Sequence, residues 1–199
     1  MKKQHTKTIL TTVILLLALL QGPFLFYYTY GFFKLIFLIP LGLIGLGLTI
    51  YLFFSVCKYA ATNTRYHIIG LILAFVIGFF TIRTDALEYL DWKFRKADRD
   101  KIVEEVKQGI LVPNDSGIYH LPSNTFLPIS NGGNDIVVNE NENGTTSVEF
   151  YIDRGFIDHY SAFLYTNDEN EIAGLDRAIA NGSNRAFKKF GDNWYRVGY

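Results

Sequence analysis

Three stretches of the chain carry almost nothing but apolar side chains: Thr8–Tyr30, Leu35–Cys57 and Tyr66–Ile82. The first two contain no charge, and the third holds only His67, at its edge. A helix that crosses a hydrocarbon core of ~30 Å needs roughly 20 apolar residues. The first two runs reach that length, and the third has further apolar residues beyond Arg83. Three spanning helices are therefore expected, at about 8–30, 35–57 and 66–83. Aromatic clusters such as "FLFYYTYGFF" and "YLFF" stand at the ends of the runs, where amphipathic rings favour the headgroup layer. Burial of all three runs inside a soluble protein would need more covering chain than remains. The first run could instead be a signal peptide, but "LLALLQG" puts leucines where a cleavage site needs small residues.

The pattern then changes twice. Between Phe79 and Gln108 there is neither Gly nor Pro. Leu87, Leu90, Phe94 and Ala97 recur at three- and four-residue steps, and Ile102, Val103, Val106 and Ile110 continue an apolar stripe. The third span is thus expected to continue as an amphipathic helix over 84–112, as a rod of roughly 65 Å from Tyr66 to Gln108 at 1.5 Å per residue. Breaks near Arg83–Asp85 or Ala97–Asp98 are the alternatives, and Gly109 with Pro113 supplies the stop. The alternating charges of "KFRKADRDK" read as a solvated face. From 113 to 199, turn signals ("PNDSG", "SNGGND", "NENENG", "TNDEN") separate short β-rich runs ("GIYHL", "DIVVN", "TSVEFYI", "YSAFLYT", "WYRVGY"). Val148, Phe150 and Ile152 share one strand face, with Glu149, Tyr151 and Asp153 opposite. A short helix is expected to turn Leu175, Ala178 and Ile179 inward.

The expected whole is an α+β membrane protein. A transmembrane region, 1–83, is followed by a juxtamembrane amphipathic helix, 84–112. That helix packs on a small, mostly antiparallel β-rich domain, 113–199. The likeness to other proteins with a membrane-emerging helix on a sheet is one of layout and carries no function.

Charge sharpens this picture. Lysines and arginines balance aspartates and glutamates at 19 each. Yet the first 84 residues contain seven basic residues (Lys2, Lys3, Lys7, Lys34, Lys58, Arg65 and Arg83) and no acid, so that part is +7 and the remainder −7. A literal count of flanking Lys and Arg slightly favours the tail inside. The purely basic first flank, and the acids interleaved with the tail's basic residues, favour the amino terminus in the cytoplasm and the tail outside. The acidic tail disfavours nucleic acid. The apolar runs lack an ionisable group near their centres, which argues against a transporter or pump built from this chain alone.

Candidate chemistry is sparse. Gly70, Ala74 and Gly78 recur every four residues and form a smooth helix face. Gly42, Gly45 and Gly47 form a second, beside Pro40. Such faces either pack the helices on one another or dock another membrane protein. In "SVEFYIDRGFIDHYSAFLYTND", Asp153, Arg154, Asp158, His159, Tyr160 and Ser161 gather between two β-rich runs. Zinc would need three or four ligands at knuckle or helix spacing, and Asp153, Asp158, His159 and distant His120 do not provide it. Ser161 lacks a nucleophile elbow. Calcium-loop and nucleotide-loop patterns are also missing, and no cofactor is expected. The cluster reads as a hairpin corner.

Two functional readings result. One is a membrane-anchored interaction module of the bacterial envelope: an adaptor, an assembly subunit, or a protective protein of the immunity type. Its partners would be the bilayer and another protein; a small-molecule ligand is left open. The other is a membrane-associated enzyme, whose mark would be a concavity holding His120 or His159 with a carboxylate.

Overall fold

The computed structural model describes residues 2–58, 64–82, 84–122, 127–140, 143–155, 159–182 and 186–199. The chain divides into two compact units. One comprises residues 1–26 and 33–90, the other residues 27–32 and 91–199.

The first unit is helical. Its elements are α1 (Lys2–Tyr28), α2 (Gly31–Lys58), α3 (Thr64–Ile82) and the start of α4 (Thr84–Lys107). Among the described residues, two helices are long and apolar enough to cross a membrane: His5–Tyr28 and Gly31–Cys57. The α3 helix has 19 residues and counts as a third span only as part of a bent pair with α4. In place of the expected rod there are two helices, α3 ending at Ile82 and α4 beginning at Thr84. The first two helices, expected at about 8–30 and 35–57 with "GFFK" between them, are joined by a different pair of residues. "GFFK" is helical, and the connection is Thr29–Tyr30, made possible by Gly31 at φ +51°.

Ile14, Ala18, Leu52, Val56 and Ala74 form the core of this unit. Small residues set how closely α1 and α3 approach. A Cβ on Gly22 would lie 2.2 Å from the Thr81 carbonyl oxygen, and one on Gly70 would lie 2.4 Å from Thr11 Cγ2. Thr81 Oγ1 donates to the Ala18 carbonyl at 3.0 Å. By contrast, α2 keeps most of its large apolar side chains exposed, Leu43 at 65 % and Phe54 at 66 % among them.

In the second unit, six strands form one antiparallel sheet in the order β1-β2-β3-β4-β6-β5. They are β1 (Ile118–His120), β2 (Asp135–Glu140), β3 (Thr146–Arg154), β4 (Tyr160–Thr166), β5 (Lys188–Lys189) and β6 (Trp194–Gly198). The helix α5 (Glu169–Ala180) leads from β4 toward β5 and β6. It starts where Asp168 caps the amides of Asn170 and Glu171. The α4 helix ends in a Schellman closure, with Gly109 N donating to Val106 O and Ile110 N to Glu105 O.

Each face of the sheet has its own cover. On one face, Phe150 stands opposite Phe163, and Trp92 of α4 stacks within 5.0 Å of both Phe163 and Phe190. Ile102, Val103 and Val106 are buried there, while Ile110 and Phe94 are exposed. On the other face, Ala162, Leu164, Tyr195 and Val197 form a second core with Leu175 of α5. Ile172 and Ile179 pack against it, three residues before and four after Leu175.

The charged centre of α4 is a solvated face only in part: Lys93, Asp98 and Lys101 are exposed, but Arg95 and Arg99 are not. Arg99 is fully buried, and Asp91 and Arg95 nearly so. Arg99 pairs with Asp91, donates to the Ile129 carbonyl at 3.1 Å, and lies 4.6 Å from the Phe163 ring centre. Arg95 donates to the Leu127 carbonyl at 2.7 Å, and the Tyr27 hydroxyl donates to Asp91 at 3.0 Å. Buried guanidinium groups need such partners, because a lone buried charge costs far more than the pairing returns.

Candidate functional site

One polar group on the sheet is drawn from three strands and the α1–α2 connection. The pairing of β1 with β2 sets His120 opposite Asp135, and His120 Nδ1 is 2.8 Å from Asp135 Oδ1. Arg154 Nη1 donates to the other carboxylate oxygen at 2.9 Å and to the Gly132 carbonyl at 3.0 Å. The guanidinium lies 4.2 Å from the centre of the Tyr151 ring and 5.8 Å from that of Tyr30. Tyr151 meets Tyr160 at 5.4 Å, and Tyr160 meets Tyr199 at 4.8 Å.

Two local features make this arrangement possible. The register of β3 against β4 shifts between Tyr151 and Asp153, so Arg154 stands opposite Tyr160 and Asp153 opposite Ser161. This irregularity turns Arg154 onto the face of Tyr151 and takes Asp153 off it, against the simple alternation expected for β3. Gly132, at φ +72°, leaves only 3.0 Å between a would-be Cβ and Tyr30 Cβ, so a side chain there would push Tyr30 aside.

Asp135 is held below the ordinary carboxylate range. Burial alone would raise it, but hydrogen bonds and charge from His120 and Arg154 outweigh that cost. The result is a rigid carboxylate between an imidazole and a guanidinium. The side chain of His120 is 64 % exposed.

A second feature lies at the β3–β4 corner. A shallow hollow of about 450 Å³ is lined by Asp153, Gly155, His159, Tyr160, Ser161 and Arg196, among others. His159 is exposed, and its Nδ1 lies 3.3 Å from the Tyr199 carbonyl oxygen. Asp153, His159 and Ser161 thus border one concavity, whereas His120 lies with Asp135 elsewhere. Asp158 falls outside the described residues. Among the described residues, no group of three or more His, Cys, Asp or Glu is placed to hold a metal ion.

In the helical unit, Ala74 is buried. A Cβ on Gly70 would meet Thr11, and one on Gly78 would come within 3.1 Å of Gln21 Nε2 and 3.8 Å of Ala18 Cβ. That face of α3 lies on α1. Gly42, Gly45 and Gly47 have nothing within 4 Å of a would-be Cβ. Gly42 and Gly45 border an apolar groove of about 380 Å³, together with Ala18, Gln21, Ala74 and Gly78.

Sequence reasoning named His120 but not its carboxylate partner, and it missed Tyr30, Asp135 and Tyr151 as its companions. Only the turn signal "SNGGND", with two glycines beside Asp135, hinted at a special backbone there. Comparison of the chain with protein families, curated proteins and solved structures finds no match.

Proposed function

We propose that the chain is an integral membrane protein whose sheet unit recognises another protein. One observation carries this reading: a single chain joins two apolar helices of membrane length to a compact sheet unit displaying an ordered tyrosine–arginine group. Exposed apolar side chains along α2 are costly in water and favourable in lipid. Tyrosine and arginine, in turn, dominate the energetic centres of protein interfaces. In this reading α3, with its bend into α4, is the third span. The amino terminus is cytoplasmic and the sheet unit extracytoplasmic, in the cell envelope. The role is that of an adaptor, an assembly subunit or a protective protein. The small face of α3, at Gly70, Ala74 and Gly78, serves packing on α1, and that of α2, at Gly42 and Gly45, is left for a helix from outside this chain.

The test has two parts. Carbonate extraction should leave the protein in the membrane pellet, and a reporter fused after Tyr199 should work only in its extracytoplasmic form. Crosslinking in membranes followed by mass spectrometry should then recover one dominant partner, at a yield that Arg154→Ala and Tyr151→Ala each reduce. Recovery in the soluble fraction ends the membrane reading, and an unchanged yield ends the assignment of the face.

The hollow at the β3–β4 corner favours a second reading, because it sets His159 and Asp153 around one concavity. A membrane-associated enzyme would then work there, with the imidazole as the proton-transferring group. Loss of a cellular phenotype in His159→Ala, with its thermal unfolding unchanged, would favour this reading over the first.

A further inference from the structure

Glu149 lies within β3 on the sheet face that α5 covers. It is 8 % exposed, and its Oε2 is buried with no hydrogen-bond partner among the described residues. Three elements present titratable groups to it. From β4, Tyr160 brings its hydroxyl toward the carboxyl and works against the effect of burial. From α5, Glu171 brings a second carboxyl, which Ser147 Oγ of β3 holds at 2.6 Å. From the chain end, Tyr199 stacks on Tyr160 and faces both carboxyls. Among the described residues, no cation acts on Glu149.

A carboxylate in such a place is doubly unfavourable. It is desolvated, and it lies beside a like charge. A proton on Glu149 removes both penalties and converts one acceptor oxygen into a donor. We propose that Glu149 is a proton-operated latch: with its buried carboxyl uncharged α5 sits down on the sheet, and charging that carboxyl loosens α5 from it.

The geometry shows where that loss is felt. The segment that leads into α5, with the first turn of that helix, is tied to the residues at the start of β3 at three points. Thr146 N donates to Asn167 Oδ1 at 2.6 Å, Thr145 Oγ1 to Asp168 at 3.2 Å, and Ser147 Oγ to Glu171. A charged Glu149 beneath this end of the helix repels the Glu171 carboxylate above it and so works against those ties. Burial drives the Glu149 carboxyl upward, the Tyr160 hydrogen bond opposes this, and the Glu171 charge adds to it. A folded-state value raised above the unfolded one gives stability that is complete below the ordinary glutamate range. That stability is lost as pH rises through the raised value. The device is thus a latch closed by protons.

The test uses the full chain in micelles, labelled with carbon-13 at glutamate carboxyls. One resonance should titrate well above the ordinary glutamate range. It should vanish in Glu149→Gln, and in Glu171→Gln its midpoint should fall as the like charge is removed. Amide protection of α5, corrected for the intrinsic pH dependence of exchange, should drop several-fold across that midpoint in the wild type and stay flat in Glu149→Gln. Glutamates that all titrate in the ordinary range, or a high midpoint that survives Glu149→Gln, would overturn the proposal. So would a midpoint lowered by calcium chloride but not by sodium chloride at equal ionic strength, which would mark a cation site instead.

Discussion

Each face of the sheet buries a carboxylate, and the two are treated in opposite ways. On the buried side of α4, Asp91 is 2 % exposed and is met by the Arg99 guanidinium, the Tyr27 hydroxyl and, at 3.7 Å, Arg95. Beneath α5, Glu149 is 8 % exposed and is met by a tyrosine and a second carboxyl. The first neighbourhood neutralises a charge with fixed positive groups, so the acid works as a structural joint. The second can neutralise it only with a proton, so the acid works as a sensor. Burial is similar in both places; the sign of the neighbours decides what the residue does.

The largest effect should come from breaking the first neighbourhood. Asp91→Ala leaves Arg99 buried without its counter-charge and should cost about 3–5 kcal/mol, read from thermal unfolding of the sheet unit within the full chain. The double change Asp91→Leu with Arg99→Met should cost less than Asp91→Ala alone, since it removes both charges together. Phe150→Ala, at a fully buried position between β2 and β4, should cost about the same, ~3–5 kcal/mol, as a cavity. Phe94→Ala on the same helix as Trp92 should cost little, because its side chain is exposed.

Smaller effects sharpen the second neighbourhood. Glu149→Gln should match the wild type in acid and cancel its loss of stability on raising pH; melts of the two that run parallel across pH would refute it. Asp135 has the opposite sign. Its folded value is depressed, so its contribution is complete above the ordinary aspartate range and fades as pH falls through the depressed value. Asp135→Asn should therefore flatten the acidic limb of the stability curve and leave the basic limb alone. The smallest change is His120→Ala, which removes one partner from an exposed pair and should shift stability by about 0.2–1 kcal/mol.

Local pattern alone determined a good part of this protein. The length of the apolar runs marks α1 and α2 as membrane-length helices, because a bilayer sets a length and every backbone group inside it must be satisfied within the helix. Alternation over Val148, Phe150 and Ile152 marks an inner strand face, and Gly109 with its left-handed φ of +68° marks the end of α4. What only the tertiary structure decided is the fate of the polar residues. Arg95 and Arg99 look solvated in "KFRKADRDK" because the carbonyls of residues 127–129 that receive them lie about thirty positions away. Asp135 finds His120 only through the β1–β2 register, and Arg154 reaches both only because β3 is irregular before Asp153. Glu149 has the position of a solvent-facing strand residue until α5, from beyond β4, closes over it. An apolar side chain is stabilised by leaving water in almost any company, so its place is written in local periodicity. A buried charge is stabilised only by particular partners at hydrogen-bond distance, and in this protein those partners are brought together from distant parts of the chain.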